Sequence, residues 1–378
     1  MSPGTLRLDD LLRELKQRDG SDLYLTADSP PLYRVNGATQ AASDSVLEAA
    51  DVEGIIRAAI GDHDWLAFEQ TQELNSARLV PSVGRFRLNV FRQRGQVGLV
   101  ARLIRIDFPT VAELGLPESL SRLVMEKRGL ILVTGATGSG KSTTLAALLD
   151  HRNILSRGHI LTVEDPIEFV HSHKGCVVTQ REVGVDTASY AAALKSALRQ
   201  APDVILIGEI RDLETMESAI HFSETGHLVL GTLHANNANQ AVERVMNFFP
   251  AELHAQTYVQ LSLNLRGIVS QRLVPRTDGV GRTAAIEIML NSPRIADLIS
   301  KADILALKPA IEAGLRDGSQ SFDQALYELY RARKITLEEA LKQADSANNL
   351  RLKVKMEDAG GSPSDKPLFT LKKEEPIF

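Results

Sequence analysis

Nine consecutive residues, Gly135, Ala136, Thr137, Gly138, Ser139, Gly140, Lys141, Ser142 and Thr143, carry the chemistry most readily read from this chain. The glycines let successive backbone N–H groups turn inward around an anion. A helix starting where they end would add unpaired donors and the positive end of its macrodipole. Lys141 would reach the β- and γ-phosphates of a nucleoside triphosphate, and Ser142 would hold Mg²⁺. This is the P-loop pattern, whose required context is a strand before it and a helix after it. The apolar run at residues 130–134 and the helical stretch at 145–149 supply both. Average glycine usage alone would produce the fixed positions by chance in about one chain in a hundred. The flanking strand and helix make chance rarer still, so ATP and Mg²⁺ are the expected ligands.

Phosphoryl transfer to water also needs a carboxylate to orient or deprotonate the water, and another to hold the metal through its waters. In open α/β sheets ligands bind beyond the carboxyl ends of the strands, and that rule selects the acids. Glu164, Asp165 and Glu168 follow the apolar run at 160–163, and Glu209, Arg211 and Asp212 follow the run at 204–207. Glu209, directly at the end of a buried strand, is expected to serve the metal. Glu164 and Glu168 each read either as a catalytic carboxylate or as a partner of Arg211 or of a neighbouring chain. His227 and His234 bracket another apolar strand. Seven extended steps would set them ~23 Å apart, so they have different jobs. His234, at the carboxyl end, is the expected sensor of the γ-phosphate, whereas His227 reads equally as catalytic or as a structural or subunit-boundary residue.

Two arginines add a less obvious signal. If Arg94-Gly95 is a two-residue hairpin turn, Arg87 lies directly across the ladder from Arg102. Like charges at ~5 Å between Cβ atoms are destabilising, so an anion should lie with them. The segment has no phosphate loop of its own, and the pair is therefore expected to reach ATP on a P-loop domain as arginine fingers do. Solvated arginines on an open face are the competing reading.

The elements that must position these groups fall into five stretches. Residues 1–105 read as a small α+β domain: a leucine-spaced helix at 8–15, strands at 22–26, 32–35, 85–92 and 97–104, a tight turn at Asn36-Gly37 and a helix near 52–60. Residues 106–125, with prolines and a glycine, read as a linker. Between 126 and 292, near-continuous apolar strands alternate with helices, the pattern of a mostly parallel sheet covered on both faces. Residues 293–352 read as helical, and 353–378 as a disordered tail too polar to offset its ordering entropy.

The charged fraction of 24% and net charge of −5 among 378 residues give no footprint for nucleic acid. Cys176 is the lone cysteine, which excludes a disulfide framework and a cysteine zinc site within the chain. With neither an 18-residue apolar run nor a signal-peptide pattern at the N-terminus, the expectation is a cytoplasmic protein without direct membrane insertion.

Several segments together resemble the PilT/PilU branch of the secretion ATPase superfamily, the cytoplasmic motors of bacterial type IV pili. They are Gly20-Ser-Asp-Leu-Tyr-Leu-Thr26, Arg85-Phe-Arg-Leu-Asn89, the P-loop, Ile160-Leu-Thr-Val-Glu-Asp-Pro-Ile-Glu-Phe-Val-His171 and Gln180-Arg-Glu-Val183. The likeness continues through Ala201-Pro-Asp-Val-Ile-Leu-Ile-Gly-Glu209 and Thr225-Gly-His-Leu-Val-Leu-Gly-Thr-Leu-His234. It implies a RecA-like P-loop ATPase domain preceded by a PAS-like domain. It also implies that Glu168 is the catalytic glutamate, Glu209 the Walker B glutamate, and Arg87 and Arg102 the paired arginines. The absence of four zinc cysteines favours the retraction branch over extension and secretion ATPases. Gly175-Cys-Val-Val-Thr-Gln-Arg-Glu-Val-Gly184, Phe322-Asp-Gln-Ala-Leu-Tyr327 and Ala344-Asp-Ser-Ala-Asn348 resemble the PilU side of the branch. Arg294-Ile-Ala-Asp-Leu-Ile299 departs from the Ala-Ile-Arg-Asn-Leu-Ile motif of the PilT side. The implied assembly is a homo-hexameric ring that meets the inner membrane only through the pilus machinery. Its implied partners are a PilT-type ATPase and a PilC-type inner-membrane platform protein. A type II secretion or DNA-uptake motor, or a regulatory ring subunit, would share the same residues.

Overall fold

The computed structural model describes residues 6–104 and 106–358. A helix, Leu8–Gln17, comes first and buries Leu8, Leu11, Leu12 and Leu15, the face their spacing predicts. Strands β1 (Gly20–Leu25), β2 (Leu32–Val35), β3 (Ala38–Ala41), β4 (Glu73–Val80), β5 (Gly84–Gln93) and β6 (Gln96–Ile104) form one sheet in the order β3-β2-β1-β6-β5-β4. Its pairings are antiparallel. Asn36 and Gly37 both take positive φ, 49° and 83°, as a two-residue hairpin turn between right-twisted strands demands. The helix expected near 52–60 is longer, Ala49–Thr71, with a non-helical break at Gly61. Trp65 and Phe68 beyond the break are buried with Phe86, Leu88 and Val90 of β5, so this domain has its own core.

The hairpin between β5 and β6 turns at Arg94 and Gly95, both at positive φ, and the register pairs Arg87 with Arg102 as expected. The same row continues onto β1, where Asp22 pairs with Arg102.

The second sheet contains β7 (Gly129–Thr134), β8 (Gly158–Glu164), β9 (Cys176–Glu182), β10 (Val204–Ile207), β11 (Leu228–Leu233), β12 (Leu265–Pro275) and β13 (Arg282–Leu290), in the order β13-β12-β7-β11-β10-β8-β9. Strands β9, β8, β10 and β11 run parallel, while β12 and β13 form an antiparallel pair. Every residue of β7, β10 and β11 is buried, the condition that produces unbroken apolar runs. Intervening helices include Lys141–Leu155, Tyr190–Ala197 and Leu213–Glu224. Strands β9, β12 and β13 lacked a clear sequence signal because polar residues such as Gln180, Gln271, Arg272 and Glu287 interrupt them.

By its contacts the chain divides into one unit of Met1–Ile131 with Lys141–Leu233 and another of Leu132–Gly140 with His234–Phe378. In the second, helices Phe322–Arg331, Leu337–Gln343 and Ala347–Asp358 enclose a core that includes Phe322, Leu326, Leu350 and Val354. Residues 353–358 are therefore helical rather than part of a tail, because Leu350 and Val354, one helical turn apart, share a buried face. The remainder of the expected tail, 359–378, lies outside the described residues.

Candidate functional site

The P-loop begins as β7 ends. Gly135, Gly138 and Gly140 hold φ of 147°, 74° and 87°, a region L-residues rarely adopt, and the helix starts at Lys141. A Cβ added at Gly135 would lie 2.5 Å from Gln271 O and 2.6 Å from Ser139 Oγ; one at Gly140 would lie 2.8 Å from Gln271 Nε2. Gln271, on β12 and buried, donates its amide hydrogen to Ser139 O at 2.8 Å. That bond occupies a carbonyl of the loop, while Ser139 Oγ is buried without a hydrogen-bond partner. Gln271 was missed from the sequence, since nothing at a separation of 132 residues ties a glutamine to a glycine loop. A cleft of about 370 Å³ along Gly135–Ser139 is also lined by Arg272, Arg282 and Gln343. Glycines at the required φ, an orphan hydroxyl and a helix N-terminus together fit a phosphate chain.

Lys141, at that N-terminus, is half-buried. Burial pulls its pKa below the usual lysine range, and the negative charges of Glu209 and Glu168 oppose the shift. The ammonium and the two carboxylates, from three separate segments, thus share one neighbourhood. Glu168 itself is exposed on the loop after β8. Glu209, past the end of β10, pairs with Arg211 (Oε2 to Nη2, 2.6 Å), and Arg211 also stands 3.7 Å from Asp165 Oδ2. The Arg211 partner is therefore Glu209, with Asp165 farther off, rather than Glu164 or Glu168. Asp212 caps the helix Leu213–Glu224, its Oδ1 accepting from Thr215 N at 2.9 Å.

Glu164 behaves differently. Its Oε1 accepts from Thr162 Oγ1 at 2.7 Å and from Gln180 Nε2 at 3.2 Å. Burial nevertheless dominates, and its pKa is pushed up to about 7. Such a carboxyl is half-protonated near neutrality, which sets it apart from a group that must stay ionised.

The two histidines flank β11 in sequence, one just before it and one just after it. The His227 ring lies against the end of helix Leu213–Glu224, its Nδ1 3.1 Å from Phe222 O and 3.2 Å from Thr225 Oγ1. Its backbone O also accepts from Gly129 N at the start of β7. His234 follows β11 at the carboxyl end and is exposed.

The arginine pair needs one correction. The anion expected between Arg87 and Arg102 is supplied on one side by the protein itself: Arg102 Nε donates to Asp22 Oδ1 at 2.6 Å, and Asp22 is only 2% exposed. Burying that carboxylate requires a cation, and the β1–β6 register puts Arg102 opposite it. Arg87 contributes instead to the field at Glu182, where Arg85 Nη2 stands 3.8 Å from Oε2.

The glycine cradle, the lysine at a helix N-terminus and the two carboxylates at strand ends define a P-loop ATPase built on a RecA-like α/β core. Residues 101–333 match the family described as Type II/IV secretion system protein. The chain is 50% identical over 360 residues to PilU, a type IV pilus ATPase of Pseudomonas aeruginosa, covering 95% of this chain and 93% of that one. It is 43% identical over 342 residues to PilT, the type IV pilus retraction ATPase of the same organism, covering 90% and 99%. The crystal structure of the pilus retraction motor PilT with bound ADP superposes with a TM-score of 0.84 at 39% identity, covering 92% of this chain and 99% of that one. The chain belongs to the PilT/PilU family of ATPases.

Proposed function

We propose that this chain is a motor that hydrolyses ATP to power or assist retraction of type IV pili, on the PilU side of the family and acting with a PilT-type ATPase. The observation that carries the reading is that Glu168 and Glu209 both act electrostatically on Lys141, in a chain that matches PilU along nearly its whole length. In this reading Lys141 and the P-loop amides hold the triphosphate. Glu168 takes a proton from the attacking water as the bond between the γ-phosphorus and the bridging oxygen breaks, leaving ADP and phosphate. Ser142 and Glu209 would hold Mg²⁺, which when bound neutralises charge on the phosphates. Glu209 must then exchange its contact with Arg211 for the metal's hydration shell.

Arg87 has no acidic residue opposite it on either neighbouring strand, pairing with Arg102 and Ala77, so it is the arginine of the two better placed to meet a nucleotide anion. The assembly we propose is a ring of six copies, with the N-terminal domain of one packed on the P-loop domain of the next. Losing the γ-phosphate contacts would shift interfaces between open and closed states and so turn hydrolysis into motion. His234 is assigned to sensing the γ-phosphate, and His227 to the structural join between its helix and β7. No helix among the described residues is long and apolar enough to cross a membrane. Contact with the inner membrane is therefore assigned to a PilC-type platform protein. A secretion or DNA-uptake motor would use the same residues, but likeness to pilus ATPases along the whole chain favours the pilus.

The test is Lys141→Ala in cells, scored for surface pili and twitching with PilT intact and with PilT made catalytically dead. Loss of motility in at least one background is expected. No change in either would refute the motor assignment.

A further inference from the structure

The strand that carries Gln180-Arg-Glu182 has no part in the chemistry above, yet its side chains reach the loop that holds Glu168. Gln180 uses its whole amide on that loop. Its Oε1 accepts from His171 N at 2.8 Å, and its Nε2 donates to Phe169 O at 2.9 Å and to Glu164 Oε1 at 3.2 Å. The orientation of the amide is chemically forced, because one end faces an N–H and the other faces two oxygens. The three bonds grip the chain one and three residues after Glu168 and four residues before it. Glu168 itself is exposed, and its own backbone also hydrogen-bonds the Glu164 carboxylate.

A second set of contacts meets the same loop. Phe108, in the segment that follows the N-terminal domain, packs its ring 5.5 Å from Phe169 and 5.0 Å from His171, the two residues whose backbones Gln180 binds. Two residues along β9, on the same face as Gln180, Glu182 is buried with Oε2 lacking a hydrogen bond. Arg85 of the N-terminal domain approaches it at 3.8 Å. Glu182 also accepts from the backbone of Ile167, so the strand meets both the N-terminal domain and the glutamate's loop.

We propose that Gln180 is a positioning residue for Glu168 and that Phe108 clamps the same loop, so the rate of hydrolysis depends on where the segment joining the N-terminal domain sits. This rests on Glu168 being the catalytic carboxylate. The Gln180 amide is spent on His171, Phe169 and Glu164, so in this proposal its loss acts on the chemical step and leaves ATP affinity alone.

The experiment uses the full-length protein and four variants: Gln180→Met, which keeps bulk and drops all three bonds, Gln180→Ala, Phe108→Ala and Glu168→Gln. Steady-state ATPase and ADP binding are measured for each. Glu168→Gln is expected to abolish turnover with ADP affinity kept. If it does not, the assignment of Glu168 fails and takes this proposal with it. With Glu168 upheld, both Gln180 variants are expected to lower kcat at least about tenfold with KM and ADP affinity within about twofold, and Phe108→Ala to lower kcat about threefold or more. Unchanged kcat in the Gln180 variants overturns the positioning role. A parallel loss of kcat and ADP affinity also overturns it, since that pattern marks general damage to the fold. Unchanged kcat in Phe108→Ala alone overturns the link to the N-terminal domain.

Discussion

Glu164→Gln should flatten the pH dependence of stability between pH 4.5 and about 7. Below the ordinary glutamate pKa of 4.5 the side chain is neutral in both folded and unfolded chains, and its full contribution to stability is present. As pH rises toward 7, the unfolded chain releases the proton while the folded chain keeps it. Stability therefore falls with rising pH, and the loss is complete above the folded pKa of about 7. At about 1.36 kcal/mol per unit, that interval gives at most about 3–4 kcal/mol. The residue is not fully enclosed, and its remaining access to solvent brings the expected value to roughly 1–3 kcal/mol. Glutamine keeps an oxygen to accept from Thr162 and Gln180 but cannot ionise. The assay is the difference in melting temperature between variant and native protein across pH 4–8 without nucleotide. Subtracting the two curves removes every other titrating group. The variant should gain stability relative to the native chain by a few degrees as pH rises, at roughly 2–4 °C per kcal/mol. Parallel curves would refute the assignment of a buried, raised-pKa carboxyl at this position.

Two further substitutions test the loop and the arginine row. Gly135→Ala puts a methyl group 2.5 Å from Gln271 O at a φ of 147°, so nucleotide affinity should fall at least about tenfold, read by titration with a fluorescent ADP analogue. Among the described residues, Arg102→Ala leaves Asp22 with Ser21 Oγ at 2.8 Å as its side-chain partner and should cost about 1–3 kcal/mol in thermal or urea unfolding; adding Asp22→Asn should restore part of that loss.

Local patterns were enough to reveal the phosphate loop, β10, the leucine face of the first helix and the Arg87–Arg102 pairing. Each depends on neighbours in sequence or on a two-residue turn, which fixes register without help from the rest of the chain. The acids at the ends of β8 and β10 were also legible, because the direction of a parallel strand decides which end faces a ligand. Their separate roles were not. Glu164 and Glu168 are four residues apart with the same chemistry, and only the fold decides that one is largely enclosed, with its pKa raised to about 7, while the other is exposed.

Composition and motif thus determined by themselves that the chain has a P-loop, a mostly parallel sheet and acids at its carboxyl ends. Tertiary structure alone decided that Asp22 neutralises Arg102, that Gln271 holds the glycine loop, and that Gln180 grips the loop carrying Glu168. These are contacts between segments 80, 132 and 9 residues apart that join different strands or loops. Hydrogen bonds and burial of this kind depend on which strands become neighbours, and a chain's local pattern of apolar and polar residues does not carry that order.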